Sequence, residues 1–310
     1  MTMSEQAAYS LLDPEVLGKI SRLELRARQV VEGFVSGMHK SPYKGHSVEF
    51  ANHRAYVAGD DIRHIDWRLY GKADRFFIKE YEEETNMRVH FLVDCSGSMA
   101  YPDHPGTGRM TKWTYAATVA ASLAHMLVRQ QDAVGLTLFD TDVRLSLPPS
   151  TNRASLHTFV ASLEENSPRE STDVKGVLSR IAGSVPRRGM VVVLSDLLAG
   201  VDEIVEGLHR LRHIGHDVLV LHVLDHDELE FPFTDRTLFE GMEVPGVEVL
   251  TDPQSLRGSY LSALRGFTSQ VRGACLDRRI DYALISTADP LDVALTTFLA
   301  TRMRRQRAKT

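Results

Sequence analysis

Apolar residues recur with a helical period near the start of the chain, lose that period for some fifty residues, and then alternate between strand-like and helix-like runs to the end. Asp13 followed by Pro14 reads as a helix start, because the carboxylate can accept from free backbone N–H groups and proline's fixed φ suits the first helical position. Leu17, Ile20, Leu23, Ala27, Val30, Val31 and Phe34 continue it as one stripe that stops near Gly37. From Met38 to Glu84 the chain carries Gly45, Gly59 and Gly71, and the strand-like runs are Ser47–Phe50 and Arg75–Tyr81. Residues 1–86 are therefore expected to form a helix plus a small strand-and-loop layer.

From Met87 onward the pattern predicts strand 88–94, helix 111–130, strands 134–139 and 143–147, helices 152–163 and 173–183, and strand 190–195. Helix 202–214, strand 218–223, a hairpin across 237–250, helix 253–275, strand 280–286 and helix 290–303 follow. Runs such as Val191 to Leu194 are apolar at every position, as a strand covered on both faces requires. The expectation for 87–310 is an α/β domain with a doubly wound, mainly parallel, Rossmann-type sheet.

Composition narrows the function without naming it. The chain has 310 residues, 43% of them apolar and 25% charged, with a formal charge of −5, so it has no whole-chain basic field to attract nucleic acid. Cys95 and Cys275 are its two cysteines and lack CxxC spacing, which leaves nothing for a disulfide framework or a structural zinc site and fits a reducing cytoplasm. The N-terminus shows neither the basic head nor the apolar run of a secretory signal. Met190–Leu198 and Val218–Leu224 are far shorter than the roughly 20 residues that span a bilayer, so no membrane insertion is expected.

The chemistry concentrates where strand 88–94 runs into Asp94-Cys95-Ser96-Gly97-Ser98. Ligands of open α/β sheets bind at the carboxyl ends of strands. In extended chain, side chains two apart point the same way, so Asp94, Ser96 and Ser98 can line one small oxygen cup. Two later loops are expected at the same rim: Ser171-Thr172-Asp173, opening a helix, and Ser195-Asp196, closing the apolar strand. Three hydroxyls and two carboxylates suit a hard divalent cation such as Mg²⁺, which takes oxygen ligands and keeps several waters. With so few charged ligands the ion stays electrophilic, and a carboxylate from another molecule can complete its shell.

These residues resemble the metal-ion-dependent adhesion site of the von Willebrand factor A superfamily, in which DxSxS, a Thr and an Asp lie on successive loops. The resemblance implies one Mg²⁺ (or Mn²⁺ or Ca²⁺) per chain, on Asp94, Ser96, Ser98, Thr172 and Asp196. Residues Gly45 to Phe50, Arg54, Tyr56, Gly59-Asp60-Asp61, Arg63 and Ile65-Asp66-Trp67 are similar to the signature of the bacterial domain of unknown function 58 family, where it precedes an A-like domain. That resemblance implies a non-enzymatic, cation-dependent adaptor that recognises an acidic residue of a protein partner and works with a MoxR-type AAA+ ATPase.

Other readings are weaker on chemical grounds. His209 and His213 are four apart on an expected helix, but no Glu lies between them as HExxH zinc chemistry requires. Cys95 is expected to point away from Asp94 and Ser96, into the core. The Gly59 to Trp67 segment reads as a capped turn with local ion pairs. A metal-dependent phosphohydrolase on the same cup is the alternative, with Asp173 or Asp140 as its base; GxSxG and Walker A patterns are absent.

Overall fold

The computed structural model describes residues 23, 26–32, 52–56, 70, 75–80, 87–102, 109–169, 174–184, 189–243 and 246–307. Two compact units emerge: Ser36–Asn86, and Met1–Val35 together with Met87–Thr310. In the smaller unit β1 (Asn52–Ala55) pairs antiparallel with β2 (Phe77–Glu80). Phe76, beside β2, stacks on Tyr70 at 4.4 Å between ring centroids and meets Tyr56 edge-on. The expected strand at 75–81 is thus found as β2, whereas its partner, Asn-His-Arg-Ala, has no apolar alternation for a period-2 reading to detect. Ser47–Phe50 and the Gly59 to Trp67 segment lie outside the described residues.

The larger unit opens with α1 (26–32), whose Ala27 and Val31 are buried on one face together with Leu23. This helix packs in the core of the larger unit, although the sequence pattern groups it with the strand layer. The chain then continues through β3 (Arg88–Asp94), α2 (Lys112–Arg129), β4 (Ala133–Phe139), β5 (Val143–Ser150), α3 (Arg153–Glu165) and α4 (Val174–Ser184). Next come β6 (Met190–Ser195), α5 (Val201–His213), β7 (Asp217–Leu224), α6 (His226–Glu230), β8 (Thr237–Glu240) and β9 (Glu248–Thr251). The last elements are α7 (Pro253–Asp277), β10 (Asp281–Ser286) and α8 (Leu291–Arg307).

Six strands form the main sheet in the order β10-β7-β6-β3-β4-β5, parallel throughout except for β5. Both faces are covered, which makes the sheet doubly wound. One core joins Phe91 and Val93 to Tyr115 and Leu123 of α2, Phe159 of α3 and Phe298 of α8. The other joins Leu92, Val191 and Val193 to Leu178 of α4, Leu208 of α5 and Val271 of α7. Alternate residues of β3 feed opposite cores, so the strand needs apolar residues in sequence rather than alternation. Each such large side chain taken out of water contributes about 1.5–3 kcal/mol.

Local signals agree with this packing. Thr111 caps α2 by accepting from the Thr114 N–H at 3.0 Å, and Asp252 caps α7 ahead of Pro253 at its first turn. Gly207 lets α5 close on α4: a Cβ there would stand 2.9 Å from the Leu178 side chain. Two short elements escape the period reading, a 3-10 turn over Gly97–Ala100 and the five-residue α6.

Candidate metal centre

Strands β3 and β6 lie side by side and in register, with Val93 opposite Leu194, so their carboxyl ends reach the same rim together. Asp94 is fully buried there. Its Oδ1 accepts from the Ser96 backbone N–H at 2.9 Å, folding the loop back on itself. Its Oδ2 accepts from the Ser195 hydroxyl at 2.5 Å, and Ser195 Oγ in turn accepts from the Leu197 N–H at 2.9 Å. The hydroxyls of Ser96 and Ser98 are 3.2 Å apart. Asp94, Ser96 and Ser98 therefore share one buried loop, as their alternating spacing predicts.

Asp196 follows Ser195 and is also fully buried. Its Oδ2 accepts from Lys112 Nζ at 2.7 Å, and the same ammonium reaches Glu228 Oε1 at 2.7 Å. Leu197, just beyond, has φ of 52°, a left-handed conformation that a bulky residue adopts at a cost of about 1–3 kcal/mol. His222 of β7 fixes the main chain here: its Nε2 is 2.8 Å from the Asp196 carbonyl, which can only accept, so Nε2 carries the proton. Nδ1 is then left to accept from the Tyr282 hydroxyl at 2.7 Å. Burial pushes the His222 pKa down to about 4, so the ring is neutral.

Four of the five expected ligands thus belong to two neighbouring loops of one rim. Thr172, the fifth, lies outside the described residues, as does Asp173. Asp94 and Asp196 act on each other: burial first, and the charge of Asp196 second, push the Asp94 pKa up to about 7, against the hydrogen bonds from Ser195 and Ser96. For Lys112 burial works to lower the pKa, yet the pull of Asp196 and Glu228 prevails and holds it above the ordinary lysine value. Burial raises the Glu228 pKa, and the same ammonium opposes that shift.

Lys112 is the first residue of α2, at the positive end of the helix dipole, and is 1% exposed. Among the described residues, its two carboxylate partners compensate for that placement. Glu228 belongs to α6, where Asp225 and Glu228 form a reciprocal capping box. Arg109 grips the same short helix, donating to both oxygens of Asp227 at 2.9 and 2.6 Å, while the Tyr101 hydroxyl donates to Asp227 at 3.0 Å. Sequence reasoning missed Lys112, Ser195, His222 and Glu228. A lysine opening the strongly apolar helix 111–130 was the signal for the first of these, and Ser195 stood beside Asp196 in the loop expected at the rim.

The other sequence readings also have definite places. Cys95 is buried in the opposite core from Leu92, donates to the Phe139 carbonyl at 3.2 Å, and has its pKa pushed up to about 12 by burial. Asp140 is engaged by the Arg144 guanidinium and the Asp142 N–H. His209 and His213 stand with ring centroids 6.1 Å apart. Among the described residues no three His, Cys, Asp or Glu side chains group as a metal site, and no helix is long and apolar enough to cross a membrane.

Comparison with known proteins places the chain in a family. An uncharacterized protein of Mycobacterium tuberculosis, Rv1480, is 24% identical over 265 residues, covering 84% of this chain and 81% of its own length. Among solved structures, the conserved hypothetical protein BatB from Bacteroides thetaiotaomicron aligns at 16% identity over 72% of this chain and 100% of that chain, with a TM-score of 0.44. The SpRpn10 VWA domain aligns at 11% identity over 67% of this chain and 93% of that one, with a TM-score of 0.38. A family profile matches residues 52–267, more than half of the chain, and the protein therefore belongs to the family described as protein of unknown function DUF58.

Proposed function

We propose that this chain is a divalent-cation-dependent protein-binding module. In this reading Asp94, Ser96, Ser98, Thr172 and Asp196 hold one Mg²⁺, or Mn²⁺ or Ca²⁺, and the ion receives an acidic side chain of a partner protein. One observation carries the proposal: two fully buried carboxylates act on each other at a strand-end rim, and the one on β3 is met by hydroxyls and a backbone N–H rather than by a cationic side chain. Two like charges in low dielectric disfavour each other, and a cation between them reverses that cost. The donor set fits a hard ion: oxygens throughout, with the Ser96 and Ser98 hydroxyls as neutral ligands. When bound, the ion would supply a Lewis-acidic position for a carboxylate.

The chain's own residues prepare that position. Ser195 and the Ser96 N–H orient the Asp94 carboxylate, and His222 holds the Asp196 backbone. Lys112 lies on Asp196 and has Glu228 as a second partner, so it can yield Asp196 to a metal without losing its own counter-charge. Of the two bases open to the phosphohydrolase alternative, Asp140 is engaged by Arg144, and Asp173 lies outside the described residues. Partnership with a MoxR-type AAA+ ATPase is the biological setting that the family resemblance suggests.

Calorimetric titration of the full chain with Mg²⁺ and with Mn²⁺ tests the cup. Wild type is expected to bind one equivalent, and Asp94→Asn and Ser96→Ala to lose binding by tenfold or more, roughly the loss of one charge-assisted ligand. Equal titration of wild type and Asp94→Asn would remove the site. Affinity capture with and without chelator then asks whether a partner depends on the ion.

A further inference from the structure

Beside the cup lies a cavity of about 440 Å³, and Ser98 and Lys112 line it from the cup side. Its walls are aromatic. Phe231, just after α6, is 4% exposed and is held with φ of 47°, a left-handed conformation that costs a bulky residue free energy. Its ring centroid is 4.6 Å from Tyr260 of α7, 5.2 Å from Phe233 and 5.8 Å from Phe239 of β8. The mouth carries large apolar side chains turned to water: Leu198 is 48% exposed, Met242 41% and Val247 48%. Leu198 comes directly from the loop that carries Asp196, so rim and cup are continuous.

The charges around the cavity decide what fits it. Lys112 is held between Asp196 and Glu228, and the second oxygen of Glu228 accepts from the Asp225 N–H at 2.7 Å. Asp227 is taken by Arg109 and Tyr101. The polar groups in the depth are thus held by partners within the protein, and Glu240 and Glu243 add two more carboxylates to the lining. A cavity within the roughly 300–1,000 Å³ range of small-ligand sites, with aromatic walls and a surplus of carboxylates, repels an anionic group and fits a large apolar side chain.

We propose that the cup and the cavity read one segment of a partner protein together. An Asp or Glu of the segment goes to the cup, and a neighbouring large apolar side chain, aromatic or long aliphatic, fills the cavity. This inference rests on the cation-dependent reading of the cup and adds the partner's second determinant. The shared residues Ser98 and Lys112 keep the two subsites close, within reach of side chains two apart in one extended chain, which point to the same face.

The test uses the full chain and fluorescent peptides in a glycine-serine background, each with one Asp and the position two residues away varied among Phe, Leu, Ala, Arg and Glu. Fluorescence anisotropy is measured with saturating Mg²⁺ and with chelator. Phe and Leu peptides are expected to bind about tenfold or more tighter than Ala, the effect of burying one such side chain. The preference should vanish in Met242→Asp and in Val247→Asp, both surface changes, while calorimetric Mg²⁺ binding stays as in wild type. A flat profile, a preference for Arg, or no binding by any peptide overturns the proposal even if Mg²⁺ binds. If Mg²⁺ titration fails and the Phe preference survives in chelator, the cup reading falls and the joint readout with it.

Discussion

His90 on β3 and Lys112 at the start of α2 are both buried bases, and the protein treats them in opposite ways. At the rim, Lys112 lies between Asp196 and Glu228, whose charges hold its pKa above the ordinary lysine value. Further back on the strand His90 has one hydrogen bond, to the Thr137 hydroxyl at 2.8 Å, and its Nδ1 has no partner among the described residues. Gly135 on β4 makes room for the ring, since a Cβ there would stand 2.5 Å from Nδ1. Burial, and His216 after it, push the His90 pKa down to about 4. Of these two buried bases, the one met by carboxylates keeps its charge and the other gives up its proton.

Removing Lys112 is the strongest way to break that contrast. Lys112→Met would leave Asp196 and Glu228 without their cation, and a loss of about 3–5 kcal/mol is expected from the urea midpoint in chelator. Replacing Glu228 by Gln in the same chain should recover part of the loss, because one of the two stranded charges is then gone. A single variant within about 1 kcal/mol of wild type would show that the rim needs no internal cation.

The other half of the contrast is tested by acid. An unfolded histidine titrates near 6.5, and His90 in the fold near 4. Above pH 6.5 both states are neutral there and His90 contributes no pH dependence. Below it the unfolded chain takes up a proton that the fold refuses, so stability falls as pH drops from 6.5 to 4. The share due to His90 is about 3 kcal/mol. A comparison of stability against pH for wild type and His90→Asn isolates it, and identical slopes through that window would mean that the ring is protonated in the fold.

Much of this was legible before any coordinates. The strands and long helices follow from period, and Asp94, Ser96 and Ser98 from spacing alone, because their relation is local: Ser96 bonds an oxygen two residues away. What stayed hidden is set by distant pairing. Lys112 meets partners 84 and 116 residues along the chain, and no pattern within a helix shows which carboxylates will face its first turn. Ser195 was nearer to hand, since it ends a strand in parallel register with β3. The five residues of α6 are too few to display a helical stripe, although Asp225 and Glu228 spell its capping box. β1 is polar along its length and shows itself only through β2.

Arg109 sharpens the comparison at its weak end. It makes more hydrogen bonds to carboxylates than Lys112 does, with Nη1 on Asp225 and Asp227 and Nη2 on Asp227. Its side chain is nonetheless 31% exposed, against 1% for Lys112. Water competes for both the cation and the carboxylate at such a site, and salt screens what remains. Arg109→Gln is therefore expected to cost about 1 kcal/mol, shrinking as ionic strength rises. Tyr101 continues to donate to Asp227 and the capping box continues to hold α6, so the acidic helix keeps its own support. Denaturant midpoints at low and high salt measure both effects. A salt-independent loss as large as that of Lys112→Met would mean that bond number, and not burial, sets the worth of these pairs, and the distinction between rim and interior would lose its basis.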